Sequence, residues 1–343
     1  MNMKIGIITF HWATNYGAVL QAFALQEYLK AKGHVVEIIN YKPRHYDFFA
    51  KYLYNPALVR FIRKDLTSRA KEVKIDSFRK KNLNLTKRYY STKELCDAEL
   101  NYDVVISGSD QVLNPFFTSK GERKPTSAYY LPFCSRATKI GYAVSFGCTE
   151  YTNPALGVAK QWIGNFDRIG VRESTGQDIL SQMGFSKQCM IVPDPTVLRG
   201  GDLIKDIIGD GSKRRDYMCV YMLRSSIKLS EDGVVYIDDT HNPMSMEDWF
   251  KTISSAKFLV TNSYHGMIVS ILCHTPFAVI LETTKYSGMN DRFYTILSKI
   301  GLESRIIASV DNLSECKNET IDWNDVEFRL KEFKTSGELL LGL

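Results

Sequence analysis

The sequence has no apolar run of about 18 residues, the length a helix needs to cross a bilayer. Its longest apolar region, Gly266 to Leu281, is interrupted by Ser270, His274, Thr275 and Pro276. A transmembrane helix is therefore not expected. The N-terminus lacks the charged, apolar, small-residue order of a secretory signal, and Lys4 to Phe10 reads instead as a first buried strand. Cysteines at 96, 134, 148, 189, 219, 273 and 316 are odd in number and have no paired spacing. That argues against a disulfide framework and a CxxC zinc site, and fits buried free thiols in the cytoplasm.

Catalytic signatures are missing too. The sequence contains no GxxxxGK[ST] loop, no GxGxxG, no HExxH and no Asp-x-Asp pair. Asp238 and Asp239 follow a strand, but adjacent residues point apart in an extended chain. No metal and no other cofactor is expected. A site here has to work with His, Arg and backbone amides, which suits a preformed anionic substrate.

What is present is an ordinary globular composition, 44% hydrophobic and 24% charged, which excludes a disordered or low-complexity chain. At 343 residues the length suggests two domains, each with its own core. The net charge of +6 is unevenly spread: Lys42 to Lys93 carries +11 and the remainder −5. Tyr46, Phe48, Phe49, Tyr52, Tyr54, Phe61, Phe78, Tyr89 and Tyr90 fall in the same segment. Basic residues mixed with aromatics suit an anionic membrane surface or a polyanionic ligand, against the plainer reading of a solvated helix face. No recognition motif for nucleic acid accompanies them, so nucleic acid is not an expected partner.

Short β-branched runs alternate with helical patterns. Strands are expected at 4–10, 35–40, 103–106, 139–144, 168–171 and 190–192, with helices at about 17–32, 154–165 and 174–183. A Gly-rich, basic stretch from Leu198 to Asp216 marks the domain boundary. A second series follows, with strands near 217–222, 234–237, 257–261 and 277–281 and helices near 245–255, 266–273 and 290–300. The expected architecture is α/β: a Rossmann-like domain over 1–197, a second over 198–320, and a C-terminal helix in 321–343, the two domains facing across a cleft.

In open parallel sheets, ligands bind beyond the carboxyl ends of the strands. Four polar loops fall there: Thr14 to Ala18 with Asn15, Tyr16 and Gly17; Ser107 to Gln111 with Ser109 and Asp110; Ser145 to Gly147; and Asn262-Ser263-Tyr264-His265-Gly266, which leads into a helix. Each alone is also what a turn or cap requires. His265 at a helix start can exchange protons near neutral pH while backbone amides hold an anion. Arg172, just past a strand, is a candidate anion clamp, and Arg292 is a second.

The motif set resembles the polysaccharide pyruvyl transferase family. It is carried by Lys4 to Thr9, Asn15 to Ala22, Ile39-Asn40-Tyr41-Lys42-Pro43, Ser107 to Val112 and Tyr142 to Gly147. Val171-Arg172-Glu173, Asp194-Pro195-Thr196, Asn262 to Gly266 and Gly301 to Arg305 complete it. The resemblance spans roughly residues 3 to 305 and departs at Leu113, where the family often has Trp. It implies a fold similar to GT-B glycosyltransferases, phosphoenolpyruvate as donor, and a lipid-linked or polymeric surface glycan as acceptor. On that footing Arg172, Asn262, Ser263, Tyr264, His265, Gly266 and Arg292 bind the donor. Asn15, Tyr16, Gly17, Ser107, Ser109, Asp110, Gln111 and Ser145 line the acceptor side. His265 is the principal acid and base, Arg172 the clamp, and Asp110 an orienter or base for the acceptor hydroxyls. Segment 42–93 would then hold a cytoplasmic enzyme at the inner face of the membrane. The alternatives are a glycosyltransferase with a sugar-nucleotide donor and a non-catalytic glycan-binding protein.

Overall fold

A computed structural model describes residues 2–47, 62–209, 213–239, 241–283 and 287–343. Phe48, Phe49, Tyr52, Tyr54 and Phe61 lie outside them.

The β-branched runs form two wholly parallel sheets. The first has six strands, β1 (Lys4–Ile8), β2 (Val35–Ile38), β3 (Val104–Ser107), β4 (Thr138–Val144), β5 (Arg168–Val171) and β6 (Cys189–Ile191), in the order β2-β1-β3-β4-β5-β6. The second has five, β7 (Met218–Tyr221), β8 (Val234–Tyr236), β9 (Phe258–Thr261), β10 (Phe277–Ile280) and β11 (Ile306–Ile307), in the order β11-β10-β9-β7-β8. β11, two residues long, was not anticipated. Ile5, Ile7 and Ile8 in β1, and Val260 with its neighbours in β9, are fully buried, as strands covered on both faces require.

Helix α1 (Tyr16–Ala31) starts where Asn15 caps it, the Asn15 Oδ1 accepting from the Ala18 N–H at 3.2 Å. It is buried almost all round, from Tyr16 through Gln26, because the first sheet lies on one side and the second domain on the other. The basic segment contributes α2 (Ile62–Asn82), three of whose cations bond to other parts of the fold while Lys80 and Lys81 stay exposed. Lys71 pairs with Asp239 at 2.6 Å and Lys74 donates to the Pro243 carbonyl, both across the domain boundary. Arg79, 3% exposed, donates to the carbonyls of His11, Trp12 and Ala13 and so pins the loop after β1.

Asp194 caps the short helix α3 (Pro195–Arg199), with proline at its first turn, and the chain then passes to the second sheet. There α4 (Met246–Ser255), α5 (Tyr264–Leu272) and α6 (Asp291–Ile300) cover it. The final helix α7 (Trp323–Leu341) returns to the first sheet. It lies on β4, β5 and β6, with Leu340 buried over Gly170 and Arg168 Nη2 donating to the Leu341 carbonyl at 2.6 Å. No helix of the described residues is long and apolar enough to cross a membrane.

Candidate active site

The carboxyl ends of the two sheets face each other across a cleft of about 410 Å3. Its first-domain wall is aromatic: Phe10 and Trp12 from the loop that Arg79 pins, then Tyr46 and Phe117. The Trp12 and Tyr46 rings stack at 4.1 Å, offering a flat apolar platform. Leu113, by contrast, is fully buried and offers no ring. The opposite wall comes from the start of α5, where Ser263 Oγ accepts from the Gly266 N–H at 3.2 Å, and from Arg292 at the start of α6. Lys120 and Arg224 add cations at the rim.

Beneath the cleft lies a charged cluster. Arg172, 2% exposed and not on the cleft wall, has Nη1 3.0 Å from Asp194 Oδ2, Nη2 3.5 Å from Asp110 Oδ1 and Nε 3.7 Å from Glu173 Oε2. Burial pushes the Asp194 carboxyl up, but His265 and Arg172 outweigh it and hold the group well below the usual carboxylate range. Glu173 is raised, chiefly by burial, with Arg172 opposing.

Arg292 differs. Among the described residues no carboxylate comes within 4.0 Å of it, and its Nε is buried without a hydrogen-bond partner. Burial, reinforced by repulsion from Arg172, lowers its pKa to about 10. Tyr264 lies between the two guanidiniums, 4.8 Å from Arg172 and 5.4 Å from Arg292. Arg172 is therefore paired directly with carboxylates, whereas Arg292 feels Asp110 and Glu173 only from beyond ion-pair distance. Of the two guanidiniums expected to hold an anion, Arg292 lines the cleft and Arg172 lies beneath it, paired with carboxylates.

The other expected residues divide between cleft and support. Asp110 lines the cleft in a left-handed conformation (φ 76°), held by the N–H groups of Val112 and Ser145, which donate to its carbonyl. Asn15, Ser263, Tyr264 and His265 also line it. Gln111 does so with its amide already engaged, by Asn114 at 2.7 Å and by the Met289 sulfur. Tyr16 does not reach the acceptor side: its ring stacks on Trp249 and its hydroxyl donates to the Met244 carbonyl, joining the domains. Asn262 clamps both backbone groups of Leu223. Ser107, Ser109 and Ser145 are buried behind the wall, and Ser109 Oγ lies 3.2 Å from Asp194 Oδ2. Gly266 packs at the foot of α5, where a Cβ would meet Tyr221 at 3.1 Å. Gly17 matters for space, since a Cβ there would sit 2.0 Å from His265 Nδ1.

Sequence reasoning left Asp194 between shaping the cleft and turning the chain and passed over Glu173, although both stand just beyond strands of the first sheet. It also passed over Trp12, one residue beyond the His11 that opens the first loop. Nothing in the sequence distinguishes Lys120 or Arg224 from other surface cations.

Fold and site together define a two-domain α/β protein with a cleft between parallel sheets that is lined by aromatic and cationic side chains. The chain belongs to the polysaccharide pyruvyl transferase family, whose model matches residues 15–283. It is thus a transferase of polysaccharide biosynthesis. A search of curated proteins finds no match. Similar solved structures include a putative UDP-N-acetylglucosamine 2-epimerase from Listeria monocytogenes, at 8% identity and TM-score 0.48, covering 97% of this chain and 91% of that one. The S. aureus MnaA–UDP co-structure has 11% identity and TM-score 0.48, covering 96% and 90%. Spinosyn forosaminyltransferase SpnP has 9% identity and TM-score 0.47, covering 98% and 96%.

Proposed function

We propose that the cleft transfers the pyruvyl group of phosphoenolpyruvate to two hydroxyls of one sugar in a surface glycan, forming a cyclic ketal and releasing phosphate. The observation that supports this reading is Arg292, with no directly paired carboxylate among the described residues, sharing the cleft wall with His265 and the N-terminus of α5, opposite an aromatic platform. Arg292, with the α5 amides and the rim cations Lys120 and Arg224, suits the carboxylate and phosphate of the donor. The Trp12–Tyr46 stack suits the apolar face of a sugar ring.

The chemistry runs in two balanced stages. His265 delivers a proton to the methylene carbon of the donor, which becomes a methyl group. C2 becomes oxocarbenium-like and is attacked by the first sugar hydroxyl, which surrenders its proton. The C2–O bond to phosphate then breaks, with the electron pair leaving on phosphate. The second hydroxyl attacks the regenerated cation and loses its proton in turn. Asp110, on the cleft floor, is placed to orient the hydroxyls and accept a proton. Arg292 stabilises the departing phosphate. A lipid-linked acceptor would bring the enzyme to the inner face of the membrane.

The test is thermal melting with and without phosphoenolpyruvate. At 100 times its dissociation constant the donor adds about 2.7 kcal/mol to stability. The shift should disappear in Arg292→Met. A wild-type protein that ignores saturating phosphoenolpyruvate but is stabilised by a uridine or guanosine diphosphate sugar would overturn the reading.

A further inference from the structure

Strands β7 and β8 are parallel neighbours, yet residues 222–233 between them hold no helix. Such strands are ordinarily joined through one. Here the crossover is a loop, and together with the chain after β8 it lines a second cavity of about 650 Å3. That is an ordinary volume for a small-molecule site. Leu223 and Arg224 line both this cavity and the cleft, so a single stretch of chain separates the two.

That stretch is fixed from the cleft side. Asn262 Oδ1 accepts from the Leu223 N–H at 2.5 Å, and its Nδ2 donates to the Leu223 carbonyl at 2.9 Å and to Ser225 Oγ at 3.3 Å. Asn262 immediately precedes Ser263 of the cleft wall, so one motif shapes both spaces. Across the cavity stands Tyr236, on the edge strand and 43% exposed, its hydroxyl accepting from the Leu229 N–H at 2.9 Å. The ring is held by its polar tip while much of its surface stays open, which suits stacking on a sugar.

The charge balance differs between the two spaces. In the cleft Lys120, Arg224 and Arg292 stand against Asp110 alone. In the second cavity Arg224 and Lys228 are matched by Asp238 and Asp239, and Ser225 and Ser226 add hydroxyls. An anion gains little from such a balance. A neutral polyol can donate to the carboxylates and accept from the cations at once.

We infer that this cavity is a second glycan subsite, taking a neutral sugar next to the one that is pyruvylated, so that the enzyme reads at least a disaccharide. The chain of sugars passes Leu223 and Arg224 to reach Tyr236. The inference rests on the glycan acceptor of the proposed function and is independent of its donor.

The experiment uses the full chain and fragments released by mild acid from the source organism's own surface polysaccharide, freed of pyruvate and sorted into mono-, di- and trisaccharides. Dissociation constants come from ligand-observed NMR. In the wild type the best longer fragment should bind about tenfold tighter than the best monosaccharide, the scale of one ring contact and one hydrogen bond. Tyr236→Ala should bring that ratio near one. Ser226→Trp, which plugs the cavity from an exposed loop position, should do the same and decides alone if Tyr236→Ala does not melt cooperatively. A wild-type ratio near one, or a ratio kept in either folded variant, overturns the inference. So does a uridine or guanosine diphosphate whose binding either variant abolishes, since the cavity then holds a nucleotide. A wild type with the expected ratio and no affinity for phosphoenolpyruvate leaves the subsite standing and removes the donor reading.

Discussion

Gly17→Ala sets two physical effects against each other, and the sign of the result separates them. Residue 17 is in the first turn of a 16-residue helix, where alanine in place of glycine would ordinarily help by up to about 1 kcal/mol. The added Cβ, however, would stand 2.0 Å from Nδ1, 2.4 Å from Cγ and 2.8 Å from Cβ of His265. Relieving those contacts needs a retreat of at least about 1 Å, since non-bonded carbons rest near 3.5 Å. The ring has nowhere to go: Asp194 stands behind Nε2, and Tyr264 packs edge-on with centroids 5.3 Å apart. Overpacking of this kind costs about 1–3 kcal/mol, so the net change is a loss of up to about 2 kcal/mol, or a few degrees of melting temperature. Scanning fluorimetry with and without phosphoenolpyruvate reads both effects. The variant should melt lower and lose most of the donor-induced shift. A higher melting temperature with an unchanged donor shift would refute the placement of the His265 ring on Gly17.

Two further predictions concern stability. Arg172→Met leaves Asp110, Glu173 and Asp194 without their shared cation, and should cost about 3–5 kcal/mol in urea unfolding at pH 7; a loss below about 1 kcal/mol would show that the guanidinium is not compensating them. His11, bonded to the Thr9 carbonyl and to Asn40, has its pKa lowered to about 4, mainly by burial. Its unfolded form binds a proton below about pH 6.5 while the folded form does not, so stability should fall from pH 6.5 towards 4, by up to about 3 kcal/mol. His11→Gln should flatten that part of the pH–stability profile, and an unchanged profile would count against the buried neutral ring.

The strands were legible because parallel sheets buried on both faces demand continuous β-branched runs, as in Lys4-Ile5-Gly6-Ile7-Ile8. The loops at their carboxyl ends were legible for the same topological reason, and they supplied Asn15, Asp110, Ser263 and His265 to the cleft wall. The ranking of the arginines was not legible. Whether a guanidinium is neutralised depends on partners such as Asp194 and Asp110, which folding brings from 22 and 62 positions away in the chain. Tyr16 misled because its residue type suits a sugar site, whereas its place in the first turn of α1 turns the ring onto Trp249. Within the basic segment the role of Arg79 was not legible either: it is spent on three carbonyls of the first loop, a use that composition cannot register.

The return of α7 to β4, β5 and β6 also has a consequence for how the molecule is made. At about 5–20 residues per second, roughly 7–30 seconds separate synthesis of residue 200 from that of residue 343. Through that interval the nascent first sheet lacks the cover that Leu340 and Leu341 later give it. Emergence of α7 from the ribosome therefore completes the first domain, although the second was translated before it. A stop codon at position 323 would spare every residue of the cleft and still leave a sticky, unfinished sheet for chaperones and proteases to find.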